Sequence, residues 1–315
     1  VAVLGESSGI RISKSGRWYF YWLKRVIAVM YPCILDNWVS GLARYGSVLC
    51  ALFVLGSCGN AVLEKNTKSE VDGAFFEESD ALGEKAKDHS RIVILLLGDS
   101  LTYGYDLSDP KKNAYPGVAT DLLSKKGYDI TLISGPGDLE TFLAKNRVKN
   151  YMQAVESHDI TLINASVPAV LAEFGVQALK VALKFYEEAG ITHVFIALGA
   201  NDGLKLVSVR LINKFINDII KEVKYQGMKP LLGGMKMPPS DKYVHFQRYD
   251  TAGFAAIFPS LAQKHNIPLW EFILKDVALK KKYNHGDKIH PNVEGHKIIG
   301  RHFASFLQKH VLDSR

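Results

Sequence analysis

From Arg91 onward, apolar residues come in short unbroken runs, separated by stretches where they recur at helical spacing. Arg91–Leu97 (RIVILLL) ends in a glycine, which is how a strand buried on both faces reads. Similar runs at Ile130–Ile133, Ile160–Ile163, His193–Leu198, Pro230–Gly233 and Ile267–Phe272 predict further strands. Helical patterns lie between them, at Ala114–Lys126, Val170–Ala189, Lys205–Tyr225 and Thr251–His265, with a last one at Val293–Val311. This alternation implies an α/β fold, with parallel strands, right-handed crossovers and helices on both faces of the sheet. Folds of this kind bind ligands at the carboxyl ends of their strands, near a topological switch point. Chemistry is therefore expected in the polar residues just after each run.

One pentapeptide occurs twice. Asp129–Ile133 and Asp159–Ile163 both read DITLI, and the residues after the two copies differ (SGPGDLET against NASVPAVL). That is a local duplication or insertion, since a solenoid needs at least three repeats.

Ahead of residue 91 the pattern changes. Tyr45–Leu63 carries no charge, Val48–Leu55 (VLCALFVL) is wholly apolar, and Arg44 precedes it. A basic flank, a short apolar run and then small residues make a secretory signal peptide. The run ends Leu55-Gly56-Ser57-Cys58, which resembles the lipobox of bacterial lipoproteins. That resemblance implies a lipidated Cys58 as the mature N-terminus, held at a membrane surface on the periplasmic or outer-membrane side. The rival is an uncleaved signal anchor. A span needs roughly 20 apolar residues, and this stretch nears that only by counting Gly56, Ser57, Gly59 and Asn60. Upstream, Trp18–Leu35 reads either as an interfacial helix or as part of an over-extended reading frame starting at Met30 or later. The second reading is preferred, because a signal peptide belongs at an N-terminus. Gly59–Ser90 is polar and reads as a tether. The expected organisation is a presequence over 1–57 (with 1–37 open to being untranslated), a tether over 58–90 and a folded domain over 91–315.

Composition narrows the classes. The 315 residues are 47% hydrophobic and 23% charged, which excludes a disordered, collagen-like or polytopic membrane chain. The formal charge of +7 invites a nucleic-acid reading, but residues 1–57 hold +4 of it. The lysine pairs and the run Lys280–Lys282 lack interleaved aromatics, so nucleic acid is not an expected partner. All three cysteines precede residue 59, so no disulfide scaffold is expected in the domain.

Three strand ends carry candidate chemistry. After the first strand, Gly98-Asp99-Ser100-Leu101 places a serine at a strand-to-helix turn, where backbone N–H groups favour negative charge. A plain helix cap would read the same way. After the fourth, Gly199-Ala200-Asn201-Asp202-Gly203 offers an amide donor, or an ordinary turn. Near the C-terminus, Asp287-Lys288-Ile289-His290-Pro291 puts a carboxylate three residues before an imidazole, a spacing that can fix its tautomer.

In that order, these blocks resemble the SGNH/GDSL hydrolase superfamily, specifically its arylesterase/lysophospholipase-like branch, over roughly residues 91–311. Tyr115-Pro116, Met237-Pro238-Pro239, Glu271–Ala278 and Gly286–Asn292 add to the likeness. The resemblance implies a three-layer α/β/α sandwich around a mostly parallel, flavodoxin-like five-stranded sheet. It implies a serine hydrolase of carboxylic esters, acting on small-molecule or lipid esters without a cofactor. Ser100 would be the nucleophile, His290 the general base and Asp287 its orienting partner. Ser100 N–H and the Asn201 side chain would form the oxyanion hole with one further N–H. The family's second block has a glycine for that donor. Asn164–Ala169 matches the block's start but ends in Ala169. Ser134–Asp138 keeps Gly135 and Gly137, and would make the echo an insertion after the block. Rival readings are a surface lipoprotein that keeps the scaffold for binding, and an acyltransferase or deacetylase acting on envelope glycans. A metal site is a poor rival, because His285, His290 and His296 lack the spacing for one.

Overall fold

β1 (Ile92–Gly98) is buried along its whole length, which accounts for its unbroken apolar sequence. The computed structural model describes residues 91–134, 148–239 and 241–313, all within the unit Lys87–Arg315. The presequence, Cys58, the tether, Gly135 and Gly137 lie outside the described residues. After β1 come α1 (Ser100–Tyr103), α2 (Pro110–Asn113), α3 (Tyr115–Lys125), β2 (Ile130–Ser134) and α4 (Val148–Glu156). Next are β3 (Ile160–Asn164), α5 (Gly175–Phe185), β4 (His193–Ala197), α6 (Ala200–Leu204) and α7 (Val209–Tyr225). The chain closes with β5 (Lys229–Gly233), α8 (Thr251–His265), β6 (Leu269–Trp270) and α9 (Val293–Leu307).

The strands form one parallel sheet in the order β2-β3-β1-β4-β5-β6. The six strands match the six apolar runs, where the resemblance implied five, and the repeated pentapeptide explains the difference. Its two copies pair with each other in register, Ile130 opposite Ile160 and Ile133 opposite Ile163. The first copy is thus an added edge strand outside β3. All five residues of β3 are buried, whereas Ser134 at the end of β2 is exposed. Order reverses at β1, which lies between β3 and β4, so its carboxyl end is the switch point of the sheet.

Two helical layers cover the sheet. On one face α3 packs on α9, closely enough that a Cβ on Gly300 would lie 2.5 Å from the Val118 side chain. On the other face α7 lies between α5 and α8. It buries Ile212, Ile216, Ile219, Ile220 and Val223, a helical stripe that lost contact with water drives into place. Aromatic side chains from α3, β4, β6 and α9 fill the space under the first layer: Tyr115, Phe195, Trp270 and Phe303.

Some boundaries differ from the sequence reading. The helix expected over Lys205–Tyr225 begins at Val209, because Ser208 caps it by accepting from Leu211 N–H. The helix expected over Val170–Ala189 shortens to α5, with a 3₁₀ turn at each end. The strand expected over Ile267–Phe272 pairs only at Leu269–Trp270. α9 passes into a π-helical turn at Gln308–Leu312.

Candidate active site

The site is assembled where β1, β3 and β4 end. Gly98 closes β1, and a Cβ there would meet Thr102 Oγ1 at 2.3 Å, so only glycine lets the chain turn so tightly. Asp99 is the N-cap of α1, its Oδ1 accepting from Leu101 N–H at 3.0 Å. Ser100 is therefore the first helical residue, and its N–H has no partner within the helix. Gly104, at φ 83°, ends the helix after one turn.

His290 arrives from the loop between β6 and α9. Its Nε2 lies 3.0 Å from Ser100 Oγ, and its Nδ1 lies 2.6 Å from Asp287 Oδ2. The other carboxylate oxygen, Oδ1, accepts from the N–H groups of Ile289 and His290 at 2.9 and 3.0 Å. Lys288, at φ 60°, makes the tight turn that brings Asp287 under the ring. Burial raises the Asp287 pKa, but hydrogen bonds from the His290 ring and these two N–H groups outweigh it. The carboxyl is held below its ordinary range. An ionised Asp287 takes the Nδ1 proton, which leaves Nε2 free to accept from the Ser100 hydroxyl. The three residues singled out in the sequence thus form one hydrogen-bonded chain.

Asn201 comes from the first turn of α6, preceded by Gly199 at φ 109°. Its Nδ2 donates to Val170 O at 3.1 Å and to Asp99 Oδ2 at 3.3 Å, so it reaches the same crevice. Beside it, Asp202 Oδ2 accepts from Ala172 N–H at 2.9 Å while Oδ1 is buried with no partner. Burial raises the Asp202 pKa. Asp99 is pushed up to about 7, chiefly by burial, with the Leu101 N–H pulling against that and the Asp202 charge adding to it.

Of the two candidate second blocks, only Asn164–Ala169 lies wholly among the described residues. β3 pairs directly with β1, Asn164 opposite Leu96, and the chain beyond it stays close, Val167 N–H donating to Gly98 O at 3.0 Å. Ser134 ends β2, one strand further out. Gly135 and Gly137 of the other candidate block lie outside the described residues. Ala169 has φ 63°, in the left-handed region where glycine is normally needed.

Sequence reasoning missed the groups that support this set. Thr102 Oγ1 pairs with Tyr115 OH at 2.8 Å, and Tyr115 N–H donates to His296 Nδ1 at 3.1 Å. Burial lowers the His296 pKa to about 3, so this ring is a neutral acceptor under α1. The Tyr105 ring lies 4.9 Å from that of His290. His285 Nδ1 lies 3.5 Å from Asp106. Among the described residues no cluster of His, Cys, Asp or Glu is arranged to hold a metal ion.

Comparison with known proteins agrees with the geometry. Residues 96–298 match the sequence model of the GDSL-like Lipase/Acylhydrolase family. The chain is 27% identical over 216 residues to "Thioesterase 1/protease 1/lysophospholipase L1" of Escherichia coli K12, covering 69% of this chain and 83% of that one. It is also 27% identical over 218 residues to an arylesterase of Vibrio mimicus, covering 69% and 89%. In fold it is similar to the psychrotrophic esterase EstA from Pseudoalteromonas sp. The TM-score is 0.52 at 23% identity, over 69% of this chain and 97% of that one.

Proposed function

The chain belongs to the GDSL-like lipase/acylhydrolase family and hydrolyses acyl esters, and on that premise we propose how its own residues divide the work. Ser100 is the nucleophile. Its Oγ attacks the ester carbonyl carbon while its proton passes to His290 Nε2. Asp287 holds the Nδ1 proton and stabilises the imidazolium that forms. Negative charge on the carbonyl oxygen is met by the N–H of Ser100, the side chain of Asn201 and the N–H of Ala169. Collapse breaks the ester C–O bond, the departing alcohol takes the proton from His290, and an acyl-Ser100 remains. Water then gives its proton to His290 and attacks the acyl carbon. The second collapse frees the acid and returns the proton to Ser100 Oγ. Every bond change is carried by side chains and water.

The observation that carries this reading is the continuous Asp287–His290–Ser100 contact, 2.6 and then 3.0 Å. Asn201 supports it from the other side of Asp99. Its two N–H groups face Val170 O and Asp99 Oδ2, and the longer contact, to Asp99, is the one an oxyanion displaces. Hydrolysis of p-nitrophenyl butyrate by the purified chain tests the assignment. Ser100→Ala is expected to lower turnover by at least about 10³. Activity surviving in that variant would overturn the role given to Ser100.

We also propose that the chain is exported and anchored to a membrane by lipid on Cys58. The support is the sequence: Arg44, the apolar run Val48–Leu55 and the tetrapeptide ending at Cys58. Cys58→Ser is expected to move the protein into the soluble fraction, and unchanged retention would favour an uncleaved anchor instead.

A further inference from the structure

Burial does not account for the place of Tyr105. Its side chain is 43% exposed, yet its ring centre lies 4.9 Å from that of His290, with the two planes 45° apart. The two residues belong to different loops, one after α1 and one before α9.

The chain fixes this tyrosine from both sides. Gly104, at φ 83°, turns the backbone at the end of α1, and the N–H groups of Gly104 and Tyr105 both donate to Ser100 O at 3.0 Å. The tyrosine is thus tied to the residue that carries the nucleophile. Past it, Asp106 sits at φ 66°, and Leu107 is buried with its N–H donating to Gly104 O at 3.3 Å. Asp106 Oδ2 lies 3.5 Å from His285 Nδ1, and His285 N–H donates to His290 O at 2.8 Å. The segment is therefore fastened to Ser100 before the ring and to the loop of His290 after it. A left-handed turn at a non-glycine residue persists where its surroundings over-determine it.

The contact bears on the reaction because His290 changes charge. Its ring is neutral before each proton transfer and becomes cationic in the transition states of acylation and deacylation. An aromatic face within about 6 Å attracts a cation more than it attracts a neutral ring. An interaction that grows as the proton arrives favours the transition state over bound substrate, so it raises turnover and leaves substrate affinity alone.

We propose that Tyr105 is a positioning residue whose ring face stabilises the His290 imidazolium. This rests on the roles given above to Ser100 and His290. The test varies the charge on the ring face at constant shape. In the full chain, Tyr105→Phe is compared with a trifluorinated phenylalanine incorporated at position 105, which keeps the ring but drains its face of negative charge. On p-nitrophenyl butyrate, Tyr105→Phe is expected to keep kcat within about twofold of the parent. The fluorinated ring should turn over about three- to fivefold more slowly than Tyr105→Phe, and Tyr105→Leu at least as slowly, with KM nearly unchanged in each. Equal kcat for the phenylalanine and its fluorinated form, or a change confined to KM, would overturn the proposal. Ser100→Ala run alongside separates the two failures. If the activity needs Ser100 but ignores fluorination, only the role of Tyr105 falls; if it survives Ser100→Ala, the catalytic reading falls and this role with it.

Discussion

His290 Nε2 stands 3.0 Å from Ser100 Oγ across 190 residues of chain, and Asp287 Oδ2 holds the other ring nitrogen at 2.6 Å. The ring is thus gripped on both sides, and its useful tautomer depends on Asp287 being an acceptor only. Asp287→Asn can present an N–H to Nδ1, which moves the ring proton to Nε2 and blocks uptake of the serine proton. Turnover is expected to fall about 10⁴-fold with an intact fold by circular dichroism. A loss of less than about tenfold would mean that Asp287 does not set the tautomer.

The Asn201 side chain is expected to act mainly on the transition state. Asn201→Ala should lower kcat about 10²–10³-fold and leave KM nearly unchanged. Steady-state kinetics on one soluble ester decides it, and a rise in KM alone would assign Asn201 to substrate binding.

Ala169 makes an opposite kind of prediction. At φ 63° an alanine costs roughly 1–2 kcal/mol, and glycine gives back about half of that through its freer unfolded chain. Ala169→Gly is expected to leave the melting temperature level or raise it, with turnover little changed, since the alanine already holds the left-handed conformation. Ala182→Gly, in the interior of α5, should instead cost about 1 kcal/mol. Equal destabilisation by the two changes would contradict the left-handed conformation of Ala169.

Asp99 links stability to pH. Its folded pKa is raised from 3.8 to about 7, chiefly by burial, so between those values the folded chain binds the proton more tightly than the unfolded one. Its contribution therefore falls as pH rises from about 4 through 7, by on the order of 4 kcal/mol, and is level above that. Asp99→Asn keeps a capping side chain but does not titrate. Its gain in melting temperature over the parent is expected to be larger at about pH 8 than at about pH 4. A gain that does not change with pH would remove Asp99 as the titrating group.

Much of this arrangement was legible along the chain because its causes are local. β1, β3 and β4 are buried on both faces, so their apolar runs announce them, and Asp287 with His290 lie within one turn. All six strands announced themselves as apolar runs, but the place of the first copy of the pentapeptide at the sheet edge was hidden, because it depends on its partner strand. What pairs Ile130 with Ile160 is the free edge of β3, a tertiary fact. The Asp99–Asn201 contact spans 102 residues and has no local signature. Nor did any local feature of Tyr105 indicate that its ring would meet His290.

The central claim is that Ser100 becomes covalently acylated. Treating the chain with a fluorophosphonate, then digesting it and measuring peptide masses, tests this directly, because the reagent captures a serine only when base and oxyanion donors activate it. One adduct is expected, on the peptide containing Ser100, and it should vanish in His290→Ala although the serine remains. No adduct on the parent chain, or one that maps to another residue or persists without His290, would contradict the account.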